Sequence, residues 1–495
     1  MAVPADRRRV TLVFVASGFF LAAILAGACA SESDGAPHLE VPDGAASDAA
    51  RPPRRPLAEL WGAPTLVDEN PDPEIVEVRL RAAPARFMID DREVEVLAYN
   101  GTVPGPILQA RPGQRVIVHF DNNLDEATTI HWHGLRIPAS MDGSPRIQSP
   151  VPPNGSFTYD FVVPEAASFW YHPHVNTHDQ LERGLHGAIV IQDDLDPAYD
   201  LERSLVLDDV TLDAEGNIAP PNLSGLDALT GRWGKTLLTN GRAAKHARGR
   251  ARRGQVERWR LVNVANARKM PLRVEGARVR LIATDGGLLT APVDVTKDLV
   301  LPVGGRLDLE VSYDRAGSAR LVVIDGGTPV TMLDVDVEDG TDAPRAVSWP
   351  DVRPAIPERS PTSRFDITFD FDESGGSSMW SINGRSHWTE PMLRVSQGAT
   401  VKMRIASAAA GGVAHPFHLH GQFFRVLDNP DWPGLRDTVQ VPEFGPIEIV
   451  AYFDNPGMWM AHCHILEHAE LGMMSEIEVI GADGPAPPND AGHGH

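Results

Sequence analysis

GQRVIVHFDNN, residues 113–123, decides the fold: behind the glycine, Val116, Val118 and Phe120 alternate with polar neighbours, the two-residue period of a half-buried β-strand. An Asn-Gly turn at Asn100-Gly101 precedes it. The same order of turn, glycine and strand returns at Asn240-Gly241 with Gly254 before QVERWRLVN, and at Asn383-Gly384 with Gly398 before ATVKMRIAS, where Val401, Met403 and Ile405 alternate. The turn glycines lie 140 and 143 residues apart, so the unit is domain-sized and unlike the short period of a solenoid or propeller. Long helical patterns are scarce. The chain therefore reads as all-β, with three β-sandwich or Greek-key barrel domains at 75–195, 196–345 and 360–482 and a Pro-rich linker around 345–361.

Composition agrees with that reading. A chain of 495 residues suits about three domains and excludes a peptide hormone or a single binding module. Its 44 Gly and 42 Pro punctuate the many turns of a β protein. A net charge of −22 repels phosphate backbones, so nucleic acid is not an expected partner.

At the N-terminus, Arg7, Arg8 and Arg9 precede a charge-free apolar stretch from Val10 to Ala28, the arrangement of an export signal over residues 1–30. Cleavage after Ala28 would expose Cys29 as a lipidated terminus, and cleavage after Ala30 would release the chain at Ser31. Retained, the stretch is long enough to anchor in a bilayer. The paired arginines also resemble a twin-arginine signal. The protein is expected to be exported, periplasmic or extracellular, with membrane attachment through Cys29 or the anchor as one form. Residues 31–74 read as a solvated, disordered tether and 483–495, with His493 and His495, as a flexible tail.

Cys29 and Cys463 are the only cysteines, so no disulfide framework exists and the chemistry must be sought in the neighbours of Cys463. Those neighbours are histidines. Four His-x-His pairs occur: His131/His133 in HWHG, His172/His174 in WYHPH, His418/His420 in HPFHLHG and His462/His464 in HCH. On a strand, residues two apart share a face, so each pair can offer two imidazoles to one site. His38, His119, His246 and His387 read as isolated histidines satisfying local hydrogen bonds. Two pairs lie in the first domain and two in the third, which predicts a seam where eight imidazoles meet. Nitrogen donors without ordered carboxylates suit copper, and eight exceed what one tetrahedral ion needs, so about three ions are expected there. Alternation turns Cys463 away from His462 and His464 toward a different metal. Two histidines, a cysteine and a weak axial methionine form a blue-copper electron-transfer set; His468 and Met473 follow Cys463 by five and ten residues, and His415 precedes the third pair by three.

HWHG, WYHPH, HPFHLHG and HCHILEHAELGMM are similar to the four copper motifs of multicopper oxidases, in particular the three-domain bacterial laccase-like group, and the resemblance covers about residues 75–482. It implies cupredoxin-like domains and four copper ions. His415, Cys463, His468 and Met473 would hold the type 1 copper, with Met474 a rival axial residue. His131 and His418 would hold the type 2 copper, and His133, His172, His174, His420, His462 and His464 the type 3 pair. The reaction implied is four one-electron oxidations of a reductant at the type 1 site, transfer through Cys463, and reduction of dioxygen to two waters. Asp142 matches the family's proton-supplying carboxylate, although an Asp-Gly turn also explains it. Where many bacterial relatives carry a second acid after the histidine equivalent to His468, this chain has Ala469, leaving Glu467 or Glu470 as substitutes. No Met-rich run accompanies the type 1 motif, and Met458 and Met460 read as core residues, so phenols and aromatic amines are favoured over Cu(I) or Fe(II). A periplasmic copper-binding protein without oxidase activity is the non-enzyme alternative.

Overall fold

The computed structural model describes residues 57, 60–482 and 484, apart from 221, 341–342, 353, 375–378, 388–389 and 409–412. The stretch read as an export signal, Cys29, most of the expected tether and the histidines of the tail lie outside the described residues. Among those described, strands dominate, and the helices α1 (Thr177–Gln180), α2 (Gly225–Thr230) and α3 (Leu466–Glu470) are each under two turns long.

Each Asn-Gly turn is built alike. Asn100, Asn240 and Asn383 have φ of 51°, 50° and 53°, and the glycines after them 76°, 73° and 69°, the doubly left-handed backbone of a type I′ turn. Each asparagine then clamps a neighbouring strand twice. Asn240 Oδ1 accepts from Val206 N–H at 2.8 Å while its Nδ2 donates to Ser204 O at 3.0 Å. Asn100 does the same with Arg81 and Arg79, and Asn383 with Thr368 and Asp366. The alternating strands Arg115–Asn122, Val256–Asn263 and Ala399–Ser407 each run parallel to the strand so clamped.

Three apolar cores result, each filled from two facing sheets. The first unites Val78, Val118 and Phe120 of one four-stranded sheet with Trp132, Phe169 and Ile189 of another. The second gathers Leu205, Trp259 and Leu309 with Leu272, Leu321 and Val335, and the third Val401, Met403 and Ile449 with Phe417, Trp459 and Ile477. This is cupredoxin-like architecture. The Pro-rich connection is not detached: Ile356 is buried in the first core and Trp349 Nε1 donates to Thr290 O at 3.2 Å.

The tether reading needs correction between residues 60 and 74. Leu60–Trp61 is a short strand parallel to Leu201–Val210, and Leu66 N–H donates to Ile107 O at 2.9 Å. Backbone pairing to an existing sheet edge orders this segment, and composition carries no trace of such a partner.

Asn240→Ala should remove both clamps and put alanine, which tolerates the left-handed region less well than asparagine, at φ 50°, costing about 2 kcal/mol. A thermal midpoint equal to that of the unaltered protein would show that the clamp contributes nothing.

Candidate metal centre

In the first core, strand His131–His133 pairs antiparallel with Ser168–His172, setting His131 opposite His172 and His133 opposite Trp170. In the third, His415–Leu419 pairs with Gly457–Cys463, setting His418 opposite His462 and Phe417 opposite Cys463. Paired residues share a face, so the two sheets present their histidines to one another. His131 stacks on His420 with ring centroids 3.9 Å apart, His133 stacks on His418 at 3.8 Å, and His174 meets His462 edge-on at 5.3 Å. His464 closes the group 5.1 Å from His133. All eight rings expected at the seam meet there, and all are buried.

The outer hydrogen bonds fix which nitrogen each ring presents. Nδ1 donates to Asp142 O from His131 (2.8 Å), to Pro173 O from His172 (2.8 Å), to Asp437 O from His418 (3.0 Å) and to Cys463 O from His462 (2.9 Å). His420 Nδ1 donates to Asp142 Oδ2 at 2.8 Å. A carbonyl or carboxylate oxygen only accepts, so each Nδ1 carries the hydrogen and each Nε2 keeps a bare lone pair. The Nε2 atoms of His131, His172, His174 and His418 have no partner among the described residues, and those of His420 and His462 face each other at 3.1 Å. His133 is reversed. Its Nε2 lies 3.3 Å from Thr438 Oγ1 and 3.4 Å from Asp437 Oδ1, and its Nδ1 is unpartnered. Convergent buried lone pairs without donors are what a cation would satisfy. His174, His420 and His462 form one group able to hold an ion, and His131, His418 and His420 another.

On the other face of the HCH strand, Cys463 Sγ lies 3.6 Å from His415 Nδ1 and 3.8 Å from His468 Nδ1, with the two nitrogens 3.3 Å apart. Ile465 N–H donates to the sulfur at 3.4 Å. Met473 is fully buried in the same apolar cluster as Cys463, whereas Met474 turns into a separate cluster with Met460 and Ala469. Of the two methionines, only Met473 shares the thiol's surroundings. A thiol, two imidazoles and a thioether make a soft donor set that fits copper.

Burial dominates the electrostatics. Desolvation pulls His133, His172, His174, His464 and His468 well below the usual imidazole range, His415, His420 and His462 down to about 3, and His418 to about 4. It pushes the Cys463 thiol up, so ionisation there needs a metal charge beside it. Asp142 does end a 3₁₀ turn, as the turn reading expected, yet it is only 1% exposed. Burial alone would raise its carboxyl, but the charges and hydrogen bonds of His131 and His420 hold it well below the ordinary range. Glu467 is buried, accepts from Asn266 Nδ2 at 3.1 Å and is raised by desolvation, while Glu470 lies 3.4 Å from His178 Nδ1.

Several residues that the sequence reading passed over also build the site. Asp437 and Thr438 flank His133 and His418, the Leu229 carbonyl accepts from His468 Nε2 at 3.1 Å, and Trp380 stacks on the His468 ring at 4.2 Å. A Cβ on Gly304 would stand 2.9 Å from His464 and 3.0 Å from His133, so only glycine fits there. None sits in a pattern that marks it.

Cupredoxin-like cores that join a Cys-His pocket to an all-histidine cluster through one strand define a copper oxidoreductase. Multicopper oxidase family models match residues 82–196 and 358–482. A multicopper oxidase of Staphylococcus epidermidis is 30% identical over 77% of this chain and 83% of its own length. Among solved structures, a multi-copper oxidase from Pseudomonas thermotolerans is 32% identical, with a TM-score of 0.73 over 82% of this chain and 99% of that one. A Campylobacter jejuni multicopper oxidase described as a metallo-oxidase is 27% identical, with a TM-score of 0.75 over 87% and 97%. The chain belongs to the multicopper oxidase family, membership implies copper ions, and the histidine groups described fit metal sites.

The buried neutral rings set the acid limit of the metal-free protein. Above pH 6.5, folded and unfolded histidines are both neutral; below it, unfolded chains take up protons that the buried rings refuse until about pH 3 to 4. Stability should therefore fall with pH by up to about 1.4 kcal/mol per unit for each such ring. Thermal midpoints of the metal-free protein should drop steeply from pH 6.5 to 5. A flat profile would contradict neutral burial.

Proposed function

We propose that the protein couples four one-electron oxidations of a phenol or aromatic amine to the reduction of dioxygen to two waters. In this reading His415, Cys463, His468 and Met473 hold a type 1 copper, and His131 and His418 a type 2 copper. His133, His172, His174, His420, His462 and His464 hold a type 3 pair. The observation that carries it is the HCH strand, which puts Cys463 between His415 and His468 on one face and His462 against His420 on the other. Copper bound there would supply one-electron acceptance at the Cys463 pocket and four-electron reduction of dioxygen at the histidine cluster. The chain does the rest. Backbone and carboxylate acceptors orient the rings, the apolar cores exclude water, and the peptide links from Cys463 to His462 and His464 give electrons a covalent path. Asp142 orients His420 through Oδ2, while Oδ1, 3.3 Å from His131 Nδ1 and without a hydrogen bond of its own, is the carboxylate oxygen free to take up and pass on a proton in transit.

What supports an organic reductant is the outer edge of His468. It lies under the Leu229 carbonyl of α2, whose Leu226 and Leu229 side chains are 71% and 39% exposed. An apolar rim suits an aromatic ring better than a hydrated cation. The metallo-oxidase relative favours the second reading, oxidation of Cu(I) or Fe(II). Export is inferred from Arg7–Arg9 and the apolar stretch behind them; recovery of the uncleaved chain from the cytoplasm alone would count against it.

Copper-loaded protein should contain about four coppers per chain and consume oxygen, with kcat/KM for a phenol above those for Cu(I) and Fe(II). A reversed ranking selects metal-ion oxidation, and copper uptake without oxygen consumption selects the copper-binding alternative.

Asp142→Asn keeps size and much of the hydrogen bonding but cannot release a proton. Stopped-flow reoxidation of the reduced enzyme should slow about 10²- to 10⁴-fold, with anaerobic reduction of the blue site near normal. Unchanged reoxidation with full copper content would remove Asp142 from proton delivery.

A further inference from the structure

The middle core supplies none of the proposed copper ligands, yet it places one fully buried arginine against the histidine cluster. We propose that Arg306 is the positioning residue that fixes His133 and His418 through Asp437, setting the geometry of the cluster from the domain that binds no metal. The inference rests on the ligand assignment proposed above.

Arg306 opens the strand Arg306–Ser312 and every donor of its guanidinium is used across the three cores. Nε donates to Ser168 O at 3.1 Å on the strand that ends in His172. Nη1 donates to Gly304 O at 3.1 Å and to Asp437 Oδ1 at 2.7 Å, and Nη2 donates to Asp437 Oδ2 and to Asp285 O at 3.2 Å. The fork thus grips the Asp437 carboxylate with both arms, a geometry lysine cannot reproduce.

What Asp437 does with that anchorage is specific. Its carbonyl accepts from His418 Nδ1 at 3.0 Å, which leaves Nε2 of His418 as the lone-pair nitrogen. Its Oδ1 accepts from Thr438 Oγ1 at 2.8 Å and lies 3.4 Å from His133 Nε2. With hydrogen held on the Nε2 side by this carboxylate and hydroxyl, His133 offers Nδ1 to the cluster, unlike the five rings whose Nδ1 is committed to an oxygen. A ring that flips to the other tautomer would present an N–H where a lone pair is needed. The Gly304 carbonyl joins the same brace, accepting from Trp170 Nε1 at 3.2 Å as well as from Arg306, so that the Gly304 backbone stays pressed against His133 and His464. A buried ion pair serving stability alone would need none of this alignment with ligand rings.

The test compares copper-loaded Arg306→Lys and Asp437→Asn with the unaltered protein by copper analysis, optical and paramagnetic resonance spectra, and reoxidation rate. Both variants should keep the thiolate-to-copper band of Cys463. The type 2 resonance should be altered or lost, and affinity for the cluster ions or the reoxidation rate should fall about 10- to 100-fold. Asp437→Asn is the milder change and keeps the backbone carbonyl for His418, so it answers if Arg306→Lys does not fold. A folded variant of either kind with unaltered cluster spectra, copper content and reoxidation overturns the positioning role. If the unaltered protein itself lacks a type 2 signal, the ligand assignment fails instead.

Discussion

Withdrawing ten imidazoles and a thiol from water is the constraint on which the rest of this structure depends. Charged rings could not be buried so closely, and desolvation accordingly drives nine of the ten well below the usual imidazole range. Neutral rings have one donor each, which must find an acceptor. The structure meets that need with main-chain carbonyls of Asp142, Pro173, Asp437 and Cys463, oxygens whose positions are fixed by the strands and turns themselves. For His131, His172, His418, His420 and His462 the donor is satisfied outward and the lone pair points inward, and the cluster is prepared for cations by the same bonds that make the burial of these rings tolerable.

Strand geometry then divides the two sites. Because alternate side chains leave opposite faces, His462, Cys463 and His464 serve two pockets within three residues, and pairing with His415–Leu419 supplies both pockets again, through His418 on one face and His415 and Phe417 on the other. The thiol pocket sits in the third apolar core, among Phe417, Met473 and Ile465. The cluster sits between cores, where no single sandwich could enclose it.

That position explains what the middle of the chain contributes. Gly304 backs two rings at a distance no side chain could occupy, Arg306 binds the carboxylate of Asp437, and α2 lays the Leu229 carbonyl on His468. None of these touches the centre through a ligand atom. They act as walls and braces, so the middle third of the chain is tied to the chemistry although its sequence carries no His-x-His pair.

The sequence by itself determined the strand period, the Asn-Gly turns and the candidate set of ten histidines with Cys463 and one of the adjacent Met473 and Met474, because alternation and turn chemistry are local and a metal-binding side chain must be of a particular type. His-x-His pairs announce a shared face wherever they stand. Only the tertiary structure decided that Met473 and not Met474 shares the surroundings of Cys463, that Asp142 is buried between His131 and His420, that residues 60–66 join a sheet, and that Asp437, Arg306 and Gly304 belong to the centre at all. Those outcomes depend on partners more than a hundred residues away, such as Asp437 for Arg306 and His420 for Asp142. An arginine, an aspartate or a glycine is ordinary in any strand or turn, and it becomes part of a site only when three cores pack and bring it to within hydrogen-bonding or van der Waals distance of the rings.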